Sequence, residues 1–121
     1  MTEPTQTPAR KKLNTVNKGY LFAKNNLPDT ITPYLQFSAK AKADGALPSK
    51  TKELILLGIA LVTRCDGCLL HHMKECKKLG VTREEILETF GVAVMMGGGP
   101  VFTFAALLEE AMEEFYPVEK K

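Results

Sequence analysis

The spacing of the apolar residues is the feature that most restricts the fold of this chain. From about residue 13 to residue 115, apolar side chains recur at intervals of three and four residues, the period of an amphipathic helix. No stretch shows the strict alternation of apolar and polar residues that is typical of a half-buried strand, and no internal repeat is present. The sequence therefore predicts an all-α fold.

Capping residues and helix breakers divide this pattern into about six helices. Ser49 is a candidate N-cap of the third helix, and Gly80 is a candidate C-terminal stop of the fourth. Thr82 and Glu85 have the spacing of a capping box for the fifth helix. Pro100 suits the first turn of the sixth, directly after a run of three glycines. The predicted helices cover residues 13–25, 28–43, 50–64, 65–79, 82–96 and 100–115.

The size and charge of the chain limit the kinds of protein that it can be. Its 121 residues fit a single domain, which we expect to span residues 13–121 behind a flexible tail of residues 1–12. The net charge of +2 is too balanced for a nucleic-acid-binding surface. The densest apolar run, residues 54–62, is far shorter than the ~20 residues that span a bilayer. The first twelve residues lack the apolar stretch of an export signal, so we expect no membrane association and a cytoplasmic location.

The third predicted helix is apolar around nearly its whole circumference from Leu54 onwards, which predicts a place in the middle of the molecule. The sixth carries a second apolar cluster that includes Val101, Phe102, Phe104 and Leu107. Together these segments carry more apolar surface than a small monomer readily buries. We therefore expect the subunit to form a homo-oligomer.

The residues suited to chemistry are concentrated around Cys65-Asp66-Gly67-Cys68. Two thiols separated by two residues can close into a small disulfide ring. If the fourth helix starts at Cys65 or Asp66, the free backbone N–H groups and the helix dipole at its start favour a thiolate. His72 follows Cys68 by about one helical turn, so its imidazole is placed to accept the Cys68 proton. We interpret this segment as a redox-active site.

Glu53 is the best-placed acid to orient the His72 imidazole. It lies at the start of the otherwise apolar third helix, on one face with Leu57 and Ala60, and that face would direct its carboxylate toward the start of the fourth helix. A carboxylate that is hydrogen-bonded to the imidazole would orient the ring and keep it basic. We therefore hypothesise a contact between Glu53 and His72. The candidate catalytic residues are Cys68, Cys65, His72 and Glu53.

Other interpretations of the cysteines stay open. Cys65, Cys68, Cys76 and one of the two histidines, His71 or His72, would supply four nominal zinc ligands. Structural zinc sites usually take their ligands from two segments, and one straight helix cannot surround an ion, so we expect no metal. Cys76 falls on an apolar strip of its helix and is predicted to be a buried side chain. His71 is expected at the surface or at a subunit contact.

The spacing of these residues resembles a known signature. Glu53, eleven intervening residues, Cys65-x-x-Cys68, three intervening residues and His72 is similar to the signature of the alkylhydroperoxidase D (AhpD-like) proteins, within the wider carboxymuconolactone decarboxylase family. The resemblance covers roughly half of the chain, about residues 47–110, including the stretches 81–86 and 91–100.

The resemblance implies an all-helical subunit in a homo-oligomer, often a trimer or a hexamer, and a thiol-dependent hydroperoxide reductase of antioxidant defence. In the peroxidase members, the cysteine matching Cys68 attacks a small hydroperoxide and becomes a sulfenic acid. The cysteine matching Cys65 condenses with it to form the disulfide, while the residues matching His72 and Glu53 relay the proton. A dithiol reductant, in some members a lipoyl group on a carrier protein, then resets the disulfide. No bound cofactor is implied.

Two positions inside the motif bear on this expectation. The peroxidase members carry a histidine where this chain has Gly67, and the Asp66 carboxylate disfavours a thiolate beside it unless the helix terminus offsets its charge. Two other function classes therefore remain, a carboxymuconolactone-decarboxylase-type enzyme and a non-enzymatic redox-sensing or disulfide-exchange module. The decarboxylase chemistry makes no use of a pair of cysteines, which disfavours the first of them.

Overall fold

Seven helices follow one another in the computed structural model, which describes residues 5–118, and no strand occurs in that part of the chain. The predicted all-α fold is confirmed. The helices are α1 (Pro8–Asn26), α2 (Pro28–Lys42), α3 (Ser49–Thr63), α4 (Asp66–Lys78), α5 (Arg83–Gly97), α6 (Gly99–Thr103) and α7 (Ala105–Phe115). The last predicted helix is two helices, α6 and α7, which are separated at Phe104, a residue with a buried side chain.

The first helix begins earlier than the sequence analysis predicted. Thr7 is its N-cap, with the hydroxyl oxygen accepting the Arg10 backbone N–H at 3.0 Å, and Pro8 occupies the first turn, where its missing N–H costs nothing. The prediction of a flexible tail was therefore wrong for residues 8–12, which are helical. Residues 1–4 of that predicted tail lie outside the described residues.

The predicted caps around α4 and α5 are present. Gly80 has a φ of 79°, the left-handed conformation that ends a helix. Thr82 and Glu85 form the reciprocal capping box, with their side chains accepting each other's backbone N–H groups. Ser49 is the first residue of α3 and not its cap, which is Pro48. Its hydroxyl donates to the Lys42 carbonyl at the end of α2, at 2.9 Å.

The core is built around α3 and α4. α3 packs against both α4 and α5, and α4 packs in turn against α1 and α7. Within the part of the chain that the structure describes, α2 contacts only α1 and α3, and it contributes no buried side chain. None of the helices in residues 5–118 is long and apolar enough to span a membrane. The largest fully buried side chains are Leu13, Leu57, Leu61, Leu69, Met73, Cys76, Ile86 and Val101.

α3 is central by its packing but is not buried all round. Leu57, Ala60 and Leu61 face the core, whereas Ile55 and Ile59 on the opposite side are about half exposed, at 47% and 54%. In the single subunit, α5 flanks this side of the helix without covering it, so the apolar circumference of α3 is buried only in part. The apolar face of α3 remains open beside α5.

A two-residue turn joins α3 to α4. Arg64 ends α3 in the left-handed conformation, with φ 55° and ψ 47°, although it is not a glycine. The Cys65 backbone N–H returns to the Ala60 carbonyl at 3.1 Å and helps to hold the turn. The left-handed region costs a residue with a Cβ roughly 1 kcal/mol. After this turn α4 packs against α3, so that side chains of the two helices meet.

We predict that Gly97→Ala destabilises the fold and that Gly91→Ala, in the same helix, does not. A Cβ at Gly97 would overlap the buried Val101 side chain, whereas nothing lies within 4 Å of a Cβ at Gly91. Overpacking should lower the free energy of unfolding by about 1–3 kcal/mol. Alanine at residue 91 should raise it by about 0.5–1 kcal/mol through its helix propensity. Urea unfolding of both variants checks this, and equal midpoints would contradict the packing described for α5 and α6.

Candidate functional site

Cys65 and Cys68 are joined by a disulfide at the start of α4. Their Cα atoms lie 5.2 Å apart. Cys65 is the N-cap of the helix, and its sulfur accepts the Cys68 backbone N–H at 3.2 Å. Both sulfurs therefore belong to the first turn, where unpaired N–H groups and the helix dipole stabilise negative charge. In the reduced protein this position favours a thiolate.

The contact that the sequence analysis hypothesised between Glu53 and His72 is present. Glu53 Oε2 lies 2.8 Å from His72 Nδ1 and links the second turn of α3 to the middle of α4. The Glu53 residue is only 3% exposed and is the only buried charged residue of the described chain. With a hydrogen on Nδ1, the imidazole donates to the carboxylate and keeps the lone pair of Nε2 free to accept a proton. The pair has the arrangement of a base and its orienting acid.

His71 is the second imidazole near the disulfide, and it is half-buried, where the sequence analysis expected an exposed side chain or a subunit contact. Its ring meets the Tyr20 ring edge to face at 6.2 Å and the His72 ring at 5.0 Å. Its Nδ1 is buried and has no hydrogen-bond partner among the described residues. Burial lowers the pKa of His71, and the nearby His72 lowers it further. His71 is thus a weaker proton acceptor than a free imidazole.

Cys76 is buried in the core, as predicted. It is 0% exposed and lies two turns beyond Cys68 on α4. Burial, chiefly, raises the pKa of Cys76 to about 12, with the charges of Glu53, Glu75 and Glu85 acting in the same direction. A thiol of this kind stays protonated near neutral pH and does not compete with the other two cysteines.

The structure also places α1 against the disulfide turn, which the sequence analysis missed. Lys12 on α1 forms an ion pair with Asp66. A Cβ at Gly67 would lie 3.3 Å from the Val16 side chain, so glycine permits a close approach of the two helices. Lys12, Val16 and Tyr20 are spaced at four-residue intervals and so share one face of α1. That spacing was the signal available in the sequence.

The zinc alternative has no support in the geometry. Cys65 and Cys68 are bonded to each other, and Cys76 lies in the core. No group of three or more histidine, cysteine or acidic side chains is arranged to hold a metal ion within residues 5–118. Of the residues singled out in the sequence, the structure instead brings together the disulfide, the Glu53–His72 pair and the half-buried His71.

Known proteins that are similar to this chain in sequence and structure agree with the family resemblance of the sequence. The model of the carboxymuconolactone decarboxylase family matches residues 28–110. A structure of a member of that family from Legionella pneumophila, in its apo form, is 39% identical with a TM-score of 0.84, over 88% of this chain and 96% of that one. The uncharacterised protein 4 in the cox locus of Paracoccus denitrificans is 38% identical over 81 residues, 64% of this chain and 73% of that protein.

A further solved structure is a carboxymuconolactone decarboxylase family protein from Thermotoga maritima, for which an involvement in an antioxidative response has been suggested. It is 32% identical with a TM-score of 0.59, over 69% of this chain and 90% of that one. These matches confirm the family resemblance of the sequence.

We predict that His72→Ala destabilises the protein more than His71→Ala does. Removal of the His72 imidazole leaves the buried Glu53 carboxylate without its partner, which should cost about 3 kcal/mol of unfolding free energy at pH 7. His71 makes no hydrogen bond through Nδ1, and its removal should cost about 1 kcal/mol. The double variant His72→Ala/Glu53→Gln should recover part of the loss, because no buried charge remains. Urea unfolding checks this, and an equal loss for both histidines would contradict a buried pair.

Proposed function

The chain belongs to the carboxymuconolactone decarboxylase family, and from this premise we propose that it reduces small organic hydroperoxides with the Cys65–Cys68 pair. The observation that carries the proposal is the buried Glu53–His72 pair one helical turn beyond Cys68. A redox-active cysteine needs a base to form its thiolate and an acid to protonate the leaving group. One oriented imidazole meets both needs in succession.

The first step is the attack of Cys68 on the peroxide. His72 takes the Cys68 thiol proton, and the thiolate sulfur attacks the O–O bond. A sulfur–oxygen bond forms, the O–O bond breaks and the alkoxide leaves, taking the proton from His72 to become an alcohol. The sulfur loses the two electrons that the peroxide gains, and Cys68 becomes a sulfenic acid. Glu53 holds the ring in place and stabilises the imidazolium between the two transfers.

The second step closes the disulfide. The Cys65 sulfur attacks the sulfenic sulfur of Cys68, a sulfur–sulfur bond forms, and the sulfur–oxygen bond breaks with release of water. Both cysteines stand in the first turn of α4 with their Cα atoms 5.2 Å apart, within the usual span of a disulfide. Ring closure therefore needs little movement of the helix. Rapid capture protects Cys68 from further oxidation.

A separate dithiol then returns the pair to its reduced form. One thiolate of the reductant attacks the disulfide, and its second thiol resolves the mixed disulfide, so that the reductant leaves oxidised. We propose a dithiol of the lipoyl type on a carrier protein as one source. The suggested antioxidative role of the Thermotoga maritima relative supports the assignment to peroxide metabolism.

We also propose that the subunit forms a homo-oligomer, a trimer or a hexamer. An apolar groove of about 470 Å³ runs between α3 and α5, where Ile59, Val62 and Met96 are among its lining residues. A second apolar surface lies on α2, which buries none of its own side chains and exposes Tyr34 and Phe37. Contiguous apolar surfaces of this kind are uncommon on monomers. Copies of the same chain would cover them.

We predict that Cys68→Ser and Cys65→Ser fail at different steps. Reduced Cys68→Ser should not react with one equivalent of an organic hydroperoxide, because the attacking sulfur is missing. Cys65→Ser should react once and gain the mass of one oxygen atom, because the sulfenic acid has no partner. Thiol titration and mass spectrometry check both. A first turnover of Cys68→Ser as fast as that of the wild type would overturn the assignment.

We predict that light scattering of the wild type gives a mass several times the subunit mass of 13.3 kDa. Ile59→Glu should lower the mass toward one subunit, because it places a charge in the α3–α5 groove. Leu79→Glu is the matched control, since Leu79 is an exposed apolar residue outside that groove. A wild type that remains a monomer at all concentrations would contradict the oligomer.

A further inference from the structure

One face of α1 lies along the start of α4. Lys12 contacts Asp66, Val16 lies 3.3 Å from where a Cβ at Gly67 would be, and Tyr20 meets the ring of His71. The three α1 residues follow one another at four-residue intervals, and their partners flank the disulfide and the base of the proposed reaction. α1 therefore controls which charges surround the cysteine pair from outside.

The Lys12–Asp66 ion pair involves a residue of the cysteine turn itself, because Asp66 lies between Cys65 and Cys68 in the sequence. Lys12 Nζ is 2.5 Å from Asp66 Oδ2, and the two side chains are 50% and 35% exposed. Asp66 follows Cys65 directly and is the first residue of α4. A carboxylate at this place suits the helix dipole, but it opposes a thiolate on the neighbouring sulfur. The ammonium group of Lys12 offsets that charge.

Other charged residues lie on the elements that surround the cysteine turn. Arg64 precedes Cys65 in the turn, Glu53 lies on α3 and His72 on α4. Glu110 of α7 lines the same small cleft as Lys12 and Asp66. Of the side chains named here, three are acidic (Glu53, Asp66 and Glu110) and two are fixed cations (Lys12 and Arg64), so Lys12 supplies one of the two fixed positive charges.

We propose that Lys12 is a positioning and charge-tuning residue of the redox pair, which keeps the reduced cysteines reactive by pairing with Asp66. Gly67 makes this possible, because its lack of a side chain lets α1 come close at Val16. The family's peroxidase members carry a histidine at that position, and a side chain there would press on Val16. The inference rests on the proposed function only in that it assigns a use to the thiolate.

The test is a charge cycle on the reduced protein, without peroxide. Alkylation by iodoacetamide at pH 7 and low salt reports the thiolate fraction of Cys65 and Cys68, since the buried Cys76 does not compete. Lys12→Met should slow alkylation and Asp66→Asn should speed it, each by about two- to five-fold, as a unit charge at a half-exposed site allows. The double variant should return to the wild-type rate, and Lys12→Arg should keep it.

Salt separates this role from a structural one. Raising the ionic strength from about 0.01 M to 1 M shortens the screening length from about 30 Å to 3 Å, so the differences between the variants should shrink. Single-variant effects of the same sign would overturn the proposal, because they would mean that the ion pair only fastens α1. No effect of either substitution would also overturn it. If Lys12→Met slows alkylation and Asp66→Asn speeds it in a protein that reduces no peroxide, the role of Lys12 is upheld and only the proposed function is refuted.

Discussion

The hydrogen bond between Glu53 and His72 is the interaction on which the rest of the site depends. It places a buried carboxylate from the second turn of α3 against an imidazole from the middle of α4, 2.8 Å apart, in a core whose other buried side chains are apolar among the described residues. A charge in such a place is costly unless it is paired, so the contact fixes the packing of the two helices as well as the orientation of the ring. Because α4 begins at the disulfide, the same contact fixes the base relative to the cysteines. The Glu53–His72 pair thus holds α3 against α4 and, in the proposed reaction, also orients the base.

The second constraint comes from α1, which packs against the outer side of the cysteine turn. The close approach at Gly67 lets Lys12 reach Asp66 and brings Tyr20 onto His71. The departure of this chain from the peroxidase pattern at residue 67 therefore coincides with a contact between helices. At residue 67 the histidine of the peroxidase pattern is absent, and the space is used by α1, which brings the charged Lys12 close. The side chains around the cysteines thus come from three helices, α1, α3 and α4.

Much of this arrangement could be predicted from the sequence, because it depends on local signals. The spacing of apolar residues gave the helices, the capping box at Thr82 gave the start of α5, and the register of Glu53 and His72 gave their contact. What could not be predicted depends on tertiary contacts or on unusual backbone. Nothing local marks Arg64 as left-handed, a conformation typical of glycine, and nothing local marks the break between α6 and α7 at Phe104. The exposed apolar residues of α3 have the composition of core residues, because composition does not distinguish a face covered by the same chain from one that the chain leaves open.

The proposed reaction consumes one hydroperoxide and one dithiol in each turnover. The most direct measurement is the ratio of hydroperoxide reduced to dithiol oxidised by the wild-type protein in the steady state, with dihydrolipoamide as the reductant. The predicted result is one peroxide for each dithiol, with the Cys65–Cys68 disulfide accumulating when the dithiol is exhausted. Oxidation of the dithiol without loss of peroxide, or loss of peroxide that persists when both cysteines are replaced by serine, would contradict the account.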